Sequence, residues 1–123
     1  AMTTVRDVMS KEVVSVEPTA TVAEAATMMG AHHVGSALVL QEGRPAGIFT
    51  ERDILRALAS DFDAARHAVE QWMTPHPATI VADAGLREAR DMMLERGFRH
   101  LPVLDGDDVV GIVSLRDLSR SDS

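Results

Sequence analysis

The sequence contains no cysteine and no tyrosine, and only 3% of its residues are aromatic. The lack of cysteine excludes a disulfide framework, a thiol nucleophile and a cysteine-ligated zinc site. The 12 Lys and Arg residues are outnumbered by 19 Asp and Glu, which argues against nucleic acid or an anionic membrane as a partner. No apolar run approaches the ~20 residues of a membrane span, and the first residues do not resemble a signal peptide. We therefore expect a cytoplasmic protein.

The most informative feature that is present is an internal repeat. With a shift of 64 residues, as from Asp53 to Asp117, the two halves of the 123-residue chain align without a gap. A repeat of this length indicates two copies of one supersecondary unit that pack on each other. Two like units related by a pseudo-twofold axis form clefts at their seam, where small ligands tend to bind.

Each copy shows the same order of strand and helix patterns. In the first copy, strands are predicted at 13–16, 37–40 and 46–49, with one helix capped by Thr19 or Thr21 and another over 51–60. In the second copy, strands are predicted at 79–81, 102–104 and 109–113, with helices over 86–96 and from Ser114 onward. The predicted fold class is therefore α+β with α/β-type layers, built from two β-α-β-β-α repeats.

The repeats are predicted to span residues 5–60 and 69–120, joined by a linker helix over 61–68. The helical spacing of apolar residues continues to Gln71, and the side chains expected to face inward are Phe62, Ala65, Ala68, Val69 and Trp72. In the helix that starts at Glu51, the residues expected to face inward are Ile54, Leu55 and Leu58.

A seven-residue frame occurs once in each copy. It has a glycine on a strand, a hydroxyl residue at the start of a helix and an aspartate three residues later: Gly47, Thr50 and Asp53, then Gly111, Ser114 and Asp117. A helix N-terminus favours a phosphate, to which the hydroxyl adds a donor. The carboxylate offers two acceptor oxygens, which suit the paired hydroxyls of a ribose. The glycine leaves room for a base or a backbone to come close.

The alternative interpretation of the frame is a capping box, a local motif that usually binds nothing. Two observations favour a ligand site. The box prefers Glu or Gln at its third position, whereas both copies use the shorter Asp, and the glycine recurs at the same place in both copies.

The frame, the element order, the lead-ins at 5–10 and 69–74 and the Leu101-Pro102-Val103 strand together resemble a tandem pair of CBS domains. The resemblance covers residues 5–118. It implies a regulatory module that binds an adenosyl ligand (AMP, ADP or ATP, with NAD or S-adenosylmethionine as further candidates) in clefts between the repeats. It implies no required cofactor, and it also implies a homodimer.

Carried over to this chain, the resemblance gives a role to the aspartates and the hydroxyl residues of the frames. Asp53 and Asp117 would hold the ribose hydroxyls, and Thr50 and Ser114 the phosphate. The backbone of the first strands would meet the adenine edge, at Ser15 and Val16 in one copy and at Thr79 and Ile80 in the other.

Four basic residues near the frames have two interpretations each. Arg99 and His100 precede the second strand of the second copy, where the first copy has a glycine and a serine. In the resembled family such basic residues often reach ligand phosphates, which predicts two unequal clefts; otherwise they are ordinary solvated residues. Arg52 and Arg116 either contact phosphate or lie on a solvated helix face.

An enzyme is not expected, because the sequence offers no nucleophile paired with a base, no metal-ligating cluster and no phosphate-binding loop. The alternative function is a structural dimerisation or partner-binding module with vestigial clefts. Methionine pairs at 28–29 and 92–93 lie on the first helix of each copy. One Met of each pair is expected in the core, and its neighbour either joins the core or faces a partner chain.

Overall fold

The computed structural model describes residues 3–121, and the side chains through residue 119. Within that range the chain forms five α-helices and two β-sheets. The helices are α1 (Val5–Val8), α2 (Val22–His32), α3 (Glu51–Ser60), α4 (Leu86–Arg96) and α5 (Leu115–Ser121). The strands are β1 (Ser15–Val16), β2 (Ser36–Gln41), β3 (Arg44–Thr50), β4 (Thr74–Pro75), β5 (Ile80–Val81), β6 (His100–Asp105) and β7 (Asp108–Ser114). The predicted α+β class is confirmed.

Packing divides the chain into two compact units. The central unit is Val14–Pro77, and the terminal unit combines Ala1–Val13 with Ala78–Ser123. The lead-in of the first repeat therefore belongs to the terminal unit, and the lead-in of the second repeat belongs to the central unit. Each unit is thus completed by a short segment of the other repeat.

The sheet of the central unit has the strand order β1-β2-β3-β4. β1 is parallel to β2, whereas β3 is antiparallel to both β2 and β4. Helix α2 is capped by Thr21, whose hydroxyl accepts the backbone N–H of Glu24 at 3.0 Å, so Thr21 and not Thr19 is the cap. Of the four residues at helical spacing, the helix buries Val22, Ala25 and Met29, whereas Ala26 is half-buried. The fully buried Phe49 fills the core beneath it.

The sheet of the terminal unit has the strand order β5-β6-β7, with β5 parallel to β6 and β6 antiparallel to β7. The first lead-in joins this unit through its backbone. The N–H of Val5 donates to the carbonyl of Ala84 at 2.9 Å, and Ser10 pairs with Ile112 beside β7. The core is aliphatic and is built around Val5, Met93, Leu101, Val103, Val113 and Leu118.

The predicted linker helix is wrong. Residues 61–71 form two short 3-10 helices, Ala64–Arg66 and Val69–Gln71, separated by extended backbone. The N–H of Val69 donates to the carbonyl of Ala20 at 2.7 Å, and the carbonyl of His67 accepts from Val22 at 2.9 Å. Because these groups bond to the start of α2, they are not available for α-helical bonds along the segment. Phe62, expected to face inward, is 98% exposed.

The predicted inward face of α3 is also wrong at two positions. Leu55 and Leu58 are 70% and 46% exposed, whereas the buried residues of this helix are Asp53 and Ala57. Asp53 and Ala57 are four residues apart and lie on one face of the helix, and that face meets the core. No helix within residues 3–121 has the length and apolarity needed to cross a membrane.

Candidate functional site

The frame of the central unit forms a reciprocal cap at the junction of β3 and α3. The N–H of Thr50 donates to Oδ2 of Asp53 at 3.0 Å, and the Thr50 hydroxyl lies 3.2 Å from the same oxygen. In return, the N–H of Asp53 donates to the Thr50 hydroxyl at 3.4 Å. The capping-box interpretation therefore describes the geometry of this frame, with Asp in place of the usual Glu or Gln.

The second carboxylate oxygen of Asp53 is also engaged. Nη1 of Arg56 donates to Oδ1 of Asp53 at 2.8 Å. Asp53 is only 5% exposed, one of two buried polar or charged residues among those described. A buried carboxylate is stable only when its oxygens are bonded, and here the cap and the guanidinium supply those bonds.

The frame of the terminal unit repeats the cap. The N–H of Ser114 donates to Oδ2 of Asp117 at 2.8 Å, and the N–H of Asp117 donates to the Ser114 hydroxyl at 3.0 Å. Asp117 is less buried than Asp53. The structure thus brings each predicted hydroxyl and aspartate into direct contact at the start of a helix, in both units.

The frame glycines are packed against methionines of the lead-ins. A Cβ on Gly47 would collide with Sδ of Met73 and would lie 3.0 Å from the carbonyl oxygen of Thr74. A Cβ on Gly111 would lie 2.5 Å from Sδ of Met9 and 2.7 Å from the carbonyl oxygen of Ser10. Of the two predicted occupants of this space, a base or a backbone, the structure places the protein's own backbone there, together with a thioether.

Arg99 and His100 lie beside the frame of the terminal unit. His100 opens β6 in register with Ser114, and the carbonyl of Arg99 accepts the N–H of Leu115 at 2.9 Å. The central unit has the same backbone arrangement, with the carbonyl of Gly35 accepting the N–H of Glu51 at 3.2 Å. Two exposed or half-buried basic residues therefore accompany one frame and not the other.

Glu51 increases this difference in charge. One carboxylate oxygen of Glu51 lies 3.3 Å from the position that a Cβ on Gly35 would occupy. The matching residues of the terminal unit are Leu115 and Arg99. The helix start of the central unit thus carries a carboxylate where the terminal unit carries an apolar side chain and an arginine.

The structure places the other predicted residues as follows. Arg52 and Arg116 are exposed on α3 and α5. Ser15 is exposed and Val16 is 9% exposed in β1, while Thr79 is half-buried just before β5 and Ile80 is 3% exposed within it. β1 and β5 are the edge strands of their sheets, so one side of each is not used by the sheet.

Sequence reasoning missed Arg56, Glu51 and the two lead-in methionines. One signal was present for Arg56, since an arginine recurs at position 120 with the same repeat shift. No group of three or more His, Asp or Glu side chains among the described residues is arranged to hold a metal ion.

Comparison with known proteins gives a consistent assignment. The CBS domain model matches residues 5–60 and 69–123. The CBS domain-containing protein YhcV of Bacillus subtilis is 35% identical over 119 residues, which cover 96% of this chain and 84% of that protein. The CBS-domain containing protein ATU1752 from Agrobacterium tumefaciens has a TM-score of 0.89 at 29% identity, covering 98% of this chain and 100% of that one.

A further similar structure was solved with ligands. The CBS domain pair of protein MJ0100, in complex with 5′-methylthioadenosine and S-adenosyl-L-methionine, has a TM-score of 0.87 at 29% identity. The similarity covers 98% of this chain and 96% of that one. The family match spans both repeats, and this chain belongs to the CBS domain family.

Proposed function

We propose that this chain is a regulatory module that binds an adenosyl ligand and performs no catalysis on it. The observation that carries the proposal is the pair of frames, each of which places a hydroxyl and an aspartate in contact at a helix start, at the end of a strand. The complex of the MJ0100 domain pair with two adenosyl compounds supports the ligand class.

Each hydroxyl and each aspartate of the frames has a role in this proposal. Asp53 and Asp117 accept bonds from ribose hydroxyls, and Thr50 and Ser114 contribute a donor to the phosphate. The edge strands present backbone groups to the adenine, at Ser15 and Val16 in β1 and at Thr79 and Ile80 in and before β5. The arginines that flank the aspartates add charge near a phosphate, at Arg52 and Arg116.

A ligand panel in a thermal-shift assay tests the proposal. The panel contains AMP, ADP, ATP, NAD, S-adenosylmethionine and 5′-methylthioadenosine, with guanosine and cytidine nucleotides as controls. A ligand at about 100 times its Kd stabilises the folded state by about 2.7 kcal/mol. For a chain of this size, that corresponds to a shift of several degrees in Tm. No shift with any adenosyl compound would overturn the proposal.

A second candidate is a structural dimerisation or partner-binding module. It is favoured by the internal bonding of the frames, because each hydroxyl and aspartate caps its own helix and each frame glycine is covered by a methionine. These contacts stabilise the fold whether or not a ligand binds. A null result in the ligand panel, combined with a stable dimer, would favour this candidate.

Homodimerisation is part of the proposed function. In α2, Met29 is 2% exposed and Met28 is 38% exposed; in α4, Met93 is 2% exposed and Met92 is half-buried against the same core. An exposed methionine suits an adaptable apolar contact, so Met28 is our candidate for the dimer interface. A cytoplasmic location stays a prediction from the sequence.

A further inference from the structure

Arg56 connects the frame of the central unit to Trp72 in the lead-in of the second repeat. The guanidinium pairs with Oδ1 of Asp53 at 2.8 Å, and its Cζ lies 5.9 Å from the centroid of the Trp72 ring. That distance is within the range of a cation–π contact. One side chain therefore contacts both the predicted ribose-binding carboxylate and the only tryptophan of the chain.

The contacts continue beyond Trp72. Its indole Nε1 donates to Nδ1 of His67 at 3.2 Å, and the two ring planes are nearly parallel, with 12° between them. Nε2 of His67 lies 3.2 Å from a carboxylate oxygen of Asp61. Side-chain contacts thus run from Asp53 through Arg56, Trp72 and His67 to Asp61. They link the start of α3 to the residues that follow its end.

The terminal unit differs at the matching positions. The repeat shift places Val8 where the central unit has Trp72, and Thr3 where it has His67. Neither residue offers an aromatic face to a guanidinium. Among the described residues, this connection is therefore a property of the central unit.

We propose that Arg56 competes with the ligand for Asp53; this inference rests on the proposed function. When the ligand displaces Arg56 from Asp53, the contact between Arg56 and the Trp72 ring changes. Oδ2 of Asp53 is held by the cap, so a ribose hydroxyl must bond at Oδ1, where Arg56 is bound. Because the carboxylate is almost fully buried, there is little room for both partners at that oxygen. Ligand binding at Asp53 therefore moves the Arg56 guanidinium relative to the Trp72 ring.

Competition between Arg56 and the ligand predicts the direction in which ligand affinity changes when the guanidinium is removed. If binding the ligand weakens the Arg56 contact, the Arg56 contact must weaken ligand binding by the same factor. Removal of the guanidinium should therefore tighten the binding of an uncharged adenosyl compound, by about fivefold or more. A positioning role without competition predicts the opposite sign.

The test uses 5′-methylthioadenosine, which carries no phosphate and so separates this effect from simple charge attraction. Binding is measured by calorimetry and by Trp72 fluorescence in wild type, Arg56→Gln, Arg56→Lys and the control Arg44→Gln, which removes an exposed arginine from β3. We expect a saturable fluorescence change in both wild type and Arg44→Gln, with the same affinity for the ligand. We expect tighter binding and no ligand-dependent fluorescence change in Arg56→Gln.

Each other outcome is decisive. Binding to wild type with no fluorescence change, or with equal or weaker binding to Arg56→Gln, overturns the inference and leaves the proposed function standing. No binding of 5′-methylthioadenosine to wild type overturns the inference, and no binding of any adenosyl compound in the thermal-shift panel overturns the proposed function as well. If Arg56→Gln does not fold, Arg56→Lys is used instead. A lysine bonds to Asp53 more weakly than an arginine does, so this variant should bind the ligand more tightly than wild type, but by a smaller factor than Arg56→Gln. Unchanged affinity in Arg56→Lys would then contradict competition.

Discussion

The sulfur of Met9 lies 2.5 Å from the position that a Cβ on Gly111 would occupy. The matching sulfur of Met73 covers Gly47 in the same way in the central unit. Each pair joins a lead-in from one repeat to a strand from the other. The recurring frame glycines are therefore explained by packing of the protein on itself, and the ligand hypothesis rests on the hydroxyls, the aspartates and the edge strands.

The first prediction concerns these glycines. Gly111→Ala should reduce the free energy of unfolding by about 1–3 kcal/mol, because the added methyl group collides with Met9 and with the backbone of Ser10. Denaturant unfolding measures the change. Gly30→Ala is the matched control, since nothing lies within 4 Å of that position on α2, and it should be neutral or stabilising. Equal effects of the two substitutions would contradict the packing explanation.

The second prediction separates the two roles of the frame aspartates. Asp117→Ala should cost about 1 kcal/mol of stability through loss of the helix cap, and it should also weaken adenosyl ligand binding. Glu24→Ala removes the acidic member of the capping box of α2, a position with no proposed ligand role, and should affect stability only. Calorimetric titration beside denaturant melts distinguishes the outcomes. If Asp117→Ala binds ligand as wild type does, the aspartate is only a cap.

The third prediction is that the two frames differ in their affinity for phosphate. Arg99→Ala should weaken AMP binding at the terminal unit, and Glu51→Gln should strengthen it at the central unit. Because both side chains are exposed, each change should be about two- to fivefold, and smaller at high salt. Glu95→Gln, an exposed change on α4, is the control. Two identical sites that neither substitution affects would show that these residues are ordinary surface residues.

The fourth prediction concerns assembly. Light scattering should find a homodimer at micromolar concentration, and Met28→Lys should shift it toward monomer because a charge replaces an exposed apolar contact. Leu55→Lys, an exposed apolar residue of α3, is the comparison and should leave the dimer intact. A monomeric wild type, with or without nucleotide, would refute the homodimer. Dissociation by Leu55→Lys alone would place the interface on α3.

Local signals predicted much of the fold. Hydroxyl residues and helical spacing correctly placed the starts of α3 and α5 and narrowed the cap of α2 to Thr19 or Thr21, because a cap is formed by neighbours in the sequence. The glycine of each frame was predicted to allow a close approach, and the structure shows the protein's own backbone there. The sequence carries a methionine in each lead-in and a glycine in each frame, however, and nothing local says which pairs with which. Contacts between distant segments, such as Met9 with Gly111, are therefore beyond reach of such reasoning.

The segment after α3 shows why periodicity alone is insufficient. Its apolar spacing is helical, but Ala68 pairs with Thr21, and tertiary bonds replace the helical ones. The same limit applies to the site. Asp53 was predicted from its spacing to Thr50, whereas its burial and its bond to Arg56 depend on how α3 packs.

The most direct test of the central claim, that the two frames bind adenosyl ligands, is calorimetric titration of 5′-methylthioadenosine and AMP into wild type and the Asp53→Ala/Asp117→Ala double variant. We predict saturable binding to wild type. In a double variant that circular dichroism shows to be folded, we predict binding at least about tenfold weaker, because hydrogen bonds to a charged group contribute about 1.5–3 kcal/mol. Absence of binding to wild type, or identical isotherms for the two proteins, would contradict the claim.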